Sequence, residues 1–188
     1  MTAKPTTPVA IIKRENPYTY LDKHAFWKNV IGNNSFYDLS DVSEGIHINM
    51  SDKIATAGSC FAQHIGRFLN SNGAKYFEIE PAPKELTDLQ AKERGYGLYT
   101  CRYGNIYTAR QLYQLIQEAY GERSPTDAVW ILNTRYVAAL RPTIEPAGFI
   151  TQQEVIQQRA LHLAAVREMF NNLDVFIFTL GHTEAWCS

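Results

Sequence analysis

The stretch IATAGSCFAQHI, residues 54–65, constrains the fold of this chain more than any other segment. It opens with a short apolar and β-branched run of the kind found in buried strands. Gly58-Ser59-Cys60 then turns the chain, and a helical pattern begins at once. The turn brings a hydroxyl and a thiol to a helix N-terminus, whose free N–H groups and partial positive charge stabilise a thiolate, an alkoxide or an oxyanion. The segment therefore predicts an α/β protein with a nucleophile at a strand–helix junction.

Strands and helices alternate along the rest of the chain. Thr151 and Glu154 form a capping box that starts a helix ending near Asn172. Its apolar residues, which we expect to be buried, are Val155, Ile156, Leu161, Leu163, Val166, Met169 and Phe170. Residues 174–180 form a nearly continuous apolar run, typical of a strand buried on both faces of a parallel sheet. Other strands are expected at 75–79, 129–132 and 136–140, and other helices at 22–30, 60–70, 84–94 and 108–120. This order predicts a three-layer α/β sandwich with a mainly parallel sheet.

Polar turns follow the two most apolar strands. Gly58-Ser59-Cys60 follows the first, and Gly181-His182-Thr183-Glu184 follows the last. In open α/β sheets, ligands bind at the carboxyl ends of the strands. If the two strands are parallel neighbours, both turns lie at the same edge of the sheet.

Ser59 and Cys60 are both candidate nucleophiles. Cys60 and His64 are four residues apart on the predicted helix, so we expect their side chains to be neighbours. An imidazole and a helix N-terminus both stabilise a thiolate, and a Cys–His pair is a recognised arrangement for covalent catalysis. The alternative is a cysteine that only fills the core. Ser59 is either the nucleophile itself or the N-cap of the helix, where serine is preferred.

Two further loops contain groups suited to binding a substrate. The N–H of Gly104 and the amide of Asn105 could hydrogen-bond an oxyanion, although glycine and asparagine also favour simple turns. His182-Thr183-Glu184 lies where a rigid sheet commonly holds catalytic groups, and a solvated loop is the alternative. Arg141, in a proline-interrupted charged stretch, is expected in a surface salt bridge.

Four segments, in order, resemble the GSCFA-domain family, whose name is the motif that stands here as Gly58-Ser59-Cys60-Phe61-Ala62. The later segments are 103–110 (YGNIYTAR), 140–143 (LRPT) and 178–186 (FTLGHTEAW), so the resemblance covers residues 17–188. The family is related to SGNH-type esterases and acyltransferases. The resemblance thus implies a flavodoxin-like sheet and a hydrolase or acyltransferase acting on a small-molecule or carbohydrate ester.

The resemblance also implies roles for single residues. Gly58 matches the first glycine of the SGNH pattern, Cys60 the nucleophile and Ser59 the preceding aspartate; with a turn one residue shorter, Ser59 is the nucleophile. Gly104-Asn105 matches the second block, and Gly181 matches the third.

The chain departs from the SGNH pattern after Gly181. Thr183-Glu184 stands where that pattern has Asn-Asp, and no Asp-x-x-His follows. We therefore expect a chain that is incomplete at its C-terminus, in which His64 or His182 would have to act as the base. A catalytically degenerate module of the same fold that binds a carbohydrate or a protein is the alternative function, and a cysteine-based redox protein is a third.

Composition excludes several other classes. The net charge of −1, from 18 basic and 19 acidic residues, argues against nucleic acid as a partner. No segment has the length of a membrane span. The three cysteines are scattered without metal-ligand spacing, which predicts a reducing, cytoplasmic setting and no metal or other cofactor. We expect a flexible arm at residues 1–16 and a single domain at 17–188.

Overall fold

The computed structural model describes residues 16–30, 32 and 47–181. The chain divides into two units, residues 1–47 and 48–188. In the first unit, a short 3₁₀ helix, Lys23–Ala25, is followed by α1, Trp27–Val30, where the sequence predicts one short helix. Of the predicted arm at residues 1–16, all but Asn16 lies outside the described residues. The single domain at 17–188 stays a prediction.

Two parallel strands form the centre of the second unit. β1, Ile54–Gly58, is buried throughout its length. The last strand, Val175–Thr179, pairs with it in parallel, with Ile54 opposite Val175 and Gly58 opposite Thr179. The sequence predicted both strands, and their parallel pairing places Ser59 and Gly181 at one edge of the sheet.

The remaining strands differ more from the predictions. Residues 75–79 contribute a single parallel bridge between Tyr76 and Ile54. They diverge after it because the N–H of Ile79 donates to the carbonyl of Thr100 instead. β2, Val129–Leu132, and β3, Arg135–Ala138, form the predicted antiparallel hairpin, but β3 begins one residue before and ends two residues before the predicted bounds. The last strand among the described residues, Val175–Thr179, is numbered β4.

The environment of β4 contradicts one expectation. Its five side chains are only half-buried, although the sequence predicts burial on both faces. Among the described residues, β1 is its one strand partner, so β4 lacks the second neighbour that would enclose it.

Each helix of the second unit begins at a capping residue. α2, Cys60–Ser71, is capped by Ser59 and packs on both parallel strands. Three capping boxes start the others, which are α3, Asp88–Glu93; α4, Ala109–Ala119; and α5, Gln152–Asn172. The predicted helices at 60–70, 108–120 and 151–172 are confirmed to within a residue or so. The one at 84–94 begins later because Thr87, not Lys84, provides the cap.

The buried side of α5 is not the one that apolar residues alone predict. Val155, Val166 and Met169 are buried as expected, but Ile156 is 44% exposed and Leu161 is 65% exposed. Arg159 and His162 occupy the buried stripe instead.

Arg141 is also buried, at 4% exposure, although the sequence predicts a surface salt bridge. Its guanidinium donates to the carbonyls of Arg102 and Gln158.

Alanine and aromatic residues fill the core next to β1. Members that are at most 5% exposed are Ala55, Ala57, Ala62, Tyr99, Cys101, Tyr103, Ile106, Ala119, Val166 and Met169. Small side chains on the central strand let helices and the loop at 99–106 approach it closely. The described residues thus form a mixed α/β fold with a two-stranded parallel sheet.

Candidate functional site

Gly58 ends β1 with a backbone conformation that suits only glycine. Its φ of 134° lies in the region that L-residues rarely adopt. A Cβ at this position would lie 2.5 Å from the carbonyl oxygen of Thr179 and 2.8 Å from its backbone nitrogen. The missing side chain therefore allows the ends of β1 and β4 to meet.

Ser59 is anchored to Thr179 and caps α2. Its N–H donates to Thr179 Oγ1 at 3.1 Å, and the two hydroxyl oxygens are 3.2 Å apart. Ser59 Oγ also accepts from the N–H of Phe61 at 3.4 Å, which makes Ser59 the N-cap. The interpretation of Ser59 as a cap is confirmed, while its role as a nucleophile stays a prediction.

The loop around Asn105 closes against the same turn. The N–H of Ile106 donates to the carbonyl of Gly58 at 2.8 Å. The exposed amide of Asn105 donates through Nδ2 to the hydroxyl of Tyr107 at 2.8 Å, and its Oδ1 hydrogen-bonds the hydroxyl of Tyr99. Two loops that the sequence singled out separately therefore meet at one place.

Tyr99 connects these groups from inside the core. Its hydroxyl is 3.2 Å from the carbonyl oxygen of Ser59 and accepts from Gln63 Nε2 at 3.0 Å. Burial raises the pKa of Tyr99, and the hydrogen bond from Gln63 only partly opposes this. The phenol is thus a neutral donor at physiological pH, which fixes the side chain of Asn105 through its Oδ1.

Gly181 brings the end of β4 to the same turn. Its N–H donates to the carbonyl of Tyr107 at 3.1 Å. A Cβ there would lie 3.0 Å from the Tyr107 ring and 3.2 Å from Cβ of Ser59. Gly181 therefore permits close approach, and its N–H is already used within the protein.

Cys60 and His64 occupy exposed positions on the first turns of α2. The structure records no hydrogen bond between them in the part of the chain it describes. The ring of His64 instead lies 6.5 Å from that of Phe61, centroid to centroid. The Cys60 side chain is exposed, so the alternative of a cysteine that only fills the core does not apply to it.

A cavity of about 200 Å³ lies beside the loop that contains Gly104 and Asn105. Gly104 and Asn105 line it together with Gln63 and Tyr99. Gly104 has a φ of +72° and open space where a side chain would be. Both residues of the predicted oxyanion loop thus border this cavity, whereas Ser59 and Cys60 are not among its lining residues.

His182, Thr183 and Glu184 lie outside the described residues, so their predicted roles stay predictions. Within the described ranges, no group of three or more His, Cys, Asp or Glu residues could hold a metal ion. No helix there is long and apolar enough to cross a membrane.

Sequence reasoning missed Thr179, Tyr99 and Tyr107. Thr179 had a weak signal, because it is the one hydroxyl in the apolar run that forms β4. Tyr99 had none, since several tyrosines share its loop and nothing local separates them. Their importance follows from hydrogen bonds between segments that are far apart in the sequence.

The fold and the site define an α/β protein that presents a hydroxyl and a thiol where a buried parallel strand passes into a helix. The family model described as GSCFA family matches residues 53–188, which contain the site residues described above. The chain belongs to the GSCFA family. No curated protein and no solved structure matches it.

Proposed function

We propose that this protein is an SGNH-like hydrolase or acyltransferase that acts on an ester, with a nucleophile on the Gly58-Ser59-Cys60 turn. One observation carries the proposal: three segments distant in sequence converge at the carboxyl ends of β1 and β4. They are the turn at Ser59, the loop at Asn105 and the end of β4 at Gly181, joined by the hydrogen bonds from Ile106 to Gly58 and from Gly181 to Tyr107. Such a convergence on a rigid sheet is a usual setting for ligand binding and catalysis.

Accessibility favours Cys60 over Ser59 as the nucleophile. The hydroxyl of Ser59 is half-buried, lies within hydrogen-bond reach of Thr179 Oγ1 and caps the helix. The thiol of Cys60 is exposed on the first turn of α2. In this mechanism Cys60 Sγ attacks the acyl carbonyl, the alcohol leaves, and water or a second alcohol releases the acyl group.

Donors for the oxyanion come from two elements. The N–H of Cys60 lies at the start of α2, and Asn105 offers a side-chain amide from the opposing loop. The next two N–H groups of the helix, those of Phe61 and Ala62, are already bonded to Ser59. Gly104 contributes a backbone N–H in the same loop. Gly181 has a supporting role, since its N–H is already bonded to Tyr107.

The base in this proposal is His64 or His182, and Glu184 and Thr183 assist at the end of β4. His64 lies one helical turn after Cys60, so a side-chain rotation would bring its imidazole toward the thiol.

The proposal also includes the full three-layer sandwich and a cytoplasmic location. The proposed substrate is a small-molecule or carbohydrate ester.

The binding module without turnover is the second candidate. It is favoured by the lack of a hydrogen bond between Cys60 and His64 among the described residues. A nucleophile without a paired base would bind an ester without hydrolysing it.

A trapping experiment on the full chain separates the two functions. We expect incubation with p-nitrophenyl acetate, whose leaving group needs little acid–base help, to acetylate Cys60, detected by peptide mass spectrometry. Cys60→Ala should remove the adduct and lower the hydrolysis rate by about a hundredfold or more, because the attacking atom is gone. Ser59→Ala should retain the adduct on Cys60.

The matched control is Ser71→Ala, which removes an exposed serine at the other end of α2. It should leave both the adduct and the rate unchanged. Absence of an adduct on both Cys60 and Ser59, with equal hydrolysis rates in all variants, would refute the proposed enzymatic function. Saturable binding of an acetylated sugar under the same conditions would then support the binding module.

A further inference from the structure

A single buried hydroxyl, that of Tyr99, connects the two groups proposed to stabilise the oxyanion. It lies 3.2 Å from the carbonyl oxygen of Ser59 and hydrogen-bonds Oδ1 of Asn105. The Ser59 carbonyl belongs to the same peptide group as the N–H of Cys60. Both proposed donors, the Cys60 N–H and the Asn105 amide, are therefore parts of amide groups whose oxygens face one hydroxyl.

The planarity of these amide groups sets the direction of their N–H groups. In a trans peptide group the N–H points opposite to the C=O, so the Cys60 N–H points away from Tyr99. On Asn105, one N–H of Nδ2 donates to the hydroxyl of Tyr107 at 2.8 Å. The other N–H has no hydrogen-bond partner in the part of the chain that the structure describes, and the Asn105 side chain is exposed. This N–H is available to a ligand.

The hydroxyl of Tyr99 determines which end of the Asn105 amide faces the core. The hydroxyl oxygen already accepts from Gln63 Nε2 at 3.0 Å, and its one proton is donated to Asn105 Oδ1. A flipped amide would compete with Gln63 for that oxygen. It would also leave the proton to the carbonyl of Ser59, which already accepts from the N–H of Ala62 at 2.9 Å. The observed orientation is therefore the one in which each donor has its own acceptor.

The core holds the Tyr99 hydroxyl in this position. Tyr99 is 3% exposed, and its ring lies 5.6 Å from that of Tyr103, centroid to centroid. Burial raises the pKa of Tyr99, so the phenol keeps its proton at physiological pH. Tyr107 cannot orient the amide in the same way, because its hydroxyl can either donate to Asn105 or accept from it.

We propose that Tyr99 is a positioning residue for acyl transfer, which keeps Nδ2 of Asn105 directed at the oxyanion. The inference rests on the proposed function, because it concerns the step that acylates Cys60. In that step the thiol gives its proton to the base, Sγ bonds the acyl carbon, and the carbonyl electron pair moves onto oxygen, where Asn105 stabilises it. The pair then re-forms the C=O, and the alcohol leaves with its bonding electrons and takes up a proton. Tyr99 touches no reacting atom and acts through Asn105.

Two reactions of Cys60 in the full chain separate this role from support of the fold. p-Nitrophenyl acetate reacts through an oxyanion, whereas iodoacetamide alkylates the thiol by displacement at a saturated carbon and forms none. Tyr99→Phe should lower kcat for acetylation about tenfold with KM unchanged, since the donor is no longer held toward the transition state. The rate of alkylation by iodoacetamide should stay the same.

Asn105→Ala tests whether Tyr99 acts through Asn105. This variant should lower the acetylation rate by about a hundredfold, because the donor itself is gone. Adding Tyr99→Phe to it should cause no further loss. If the two losses multiply in the double variant, Tyr99 acts independently of Asn105 and the proposal is wrong.

Tyr103→Phe is the matched control. Tyr103 is another buried tyrosine of the same loop, 5% exposed, and its hydroxyl donates to the carbonyl of Thr56 within β1. Its removal breaks a comparable buried hydrogen bond but leaves Asn105 untouched. We expect Tyr103→Phe to lower the free energy of unfolding, as Tyr99→Phe does, and to leave the rates of acetylation and alkylation unchanged.

Two further results would overturn the proposal. One is an acetylation rate in Tyr99→Phe equal to that of the wild type. The other is an equal loss of acetylation and alkylation in Tyr99→Phe, which would mean that Tyr99 only supports the thiol. A wild type that is never acetylated on Cys60 refutes the proposed function and this role together, whereas an acetylated wild type with an unaffected Tyr99→Phe refutes the positioning role alone.

Discussion

At the scale of single residues, Gly58 and Ser59 stand next to each other in one motif but are required for two different physical reasons. Ser59 acts locally, as an N-cap whose role follows from the residues next to it. Gly58 acts over a distance, because a side chain there would collide with Thr179, near the other end of the chain. The sequence predicted the first role and gave a turn as the only reason for the second.

Gly58→Ala should therefore destabilise the protein more than glycine substitutions at open positions. We expect a loss of about 2–4 kcal/mol in the free energy of unfolding, because the new methyl group meets backbone atoms that cannot easily move. Urea denaturation followed by circular dichroism measures it.

Gly104→Ala is the matched control, since Gly104 also has a positive φ but no atom lies within 4 Å of the position that its Cβ would take. It should cost only about 1–2 kcal/mol, from backbone strain. Equal losses in the two variants would show that the contact with Thr179 does not matter.

At the scale of elements, the ends of the helices follow from the sequence and their buried faces do not. Thr108 and Thr151 head capping boxes, in which each hydroxyl and the side chain three residues later satisfy backbone donors. These patterns involve residues that are close in sequence, so the sequence alone predicts where the helices begin. The buried face of α5 includes Arg159 and His162. A prediction based on apolar residues alone does not identify either of them.

Arg159 connects α5 to α4 through a carboxylate. Its guanidinium forms a two-pronged ion pair with Glu118, and both side chains are under 10% exposed. A buried charge depends on its partner, because taking it from water is costly. The pair can form only where the two helices pack, so the sequence of either helix does not reveal it.

Glu118→Leu should accordingly destabilise the protein by about 3–5 kcal/mol, since the cation of Arg159 would be left buried and unpaired. The double variant Glu118→Leu with Arg159→Met should recover most of this loss, because an apolar pair replaces the ion pair. Thermal and urea unfolding of the three proteins measure the difference. A double variant less stable than Glu118→Leu would contradict the explanation.

At the scale of the whole molecule, buried hydrogen bonds and an ion pair join segments that local patterns keep separate. Glu80 bonds His162 of α5 and the backbone of Arg102, and Arg102 in turn pairs with Glu145 at 2.9 Å. Residues from four parts of the chain are thus joined in one network. Such a network makes global stability depend on the protonation of His162.

The free energy of unfolding should fall as the pH decreases from 6.5 toward 4. In this range the unfolded chain protonates His162, whose ordinary pKa is 6.5, while the folded protein resists until about pH 4. The unfolded state therefore binds more protons, and acid favours it by an amount of the order of 1–3 kcal/mol. Protonation of Glu80, whose pKa is lowered in the folded protein, acts in the same direction at still lower pH.

His162→Gln should flatten this dependence, and the exposed His64→Gln should not change it. Urea midpoints measured at several values of pH between 4 and 7 provide the comparison. The same slope in His162→Gln as in the wild type would assign the acid sensitivity to other groups.

The sequence by itself determined the parts of this protein that depend on neighbours along the chain. These are the strand, turn and helix at residues 54–71, the capping boxes, the apolar run of β4 and the membership in the GSCFA family. Backbone hydrogen bonding and side-chain periodicity act within a few residues, so a short stretch of sequence is enough to predict such features.

Only the tertiary structure decided which distant segments contact one another. It paired β1 with β4, set Thr179 against Ser59, placed Tyr99 under Asn105 and buried Arg141 and His162 around a cavity. The physical reason is that burial and pairing depend on the packing of distant segments. A polar residue in a helix has the same local signature whether it faces water or a binding site.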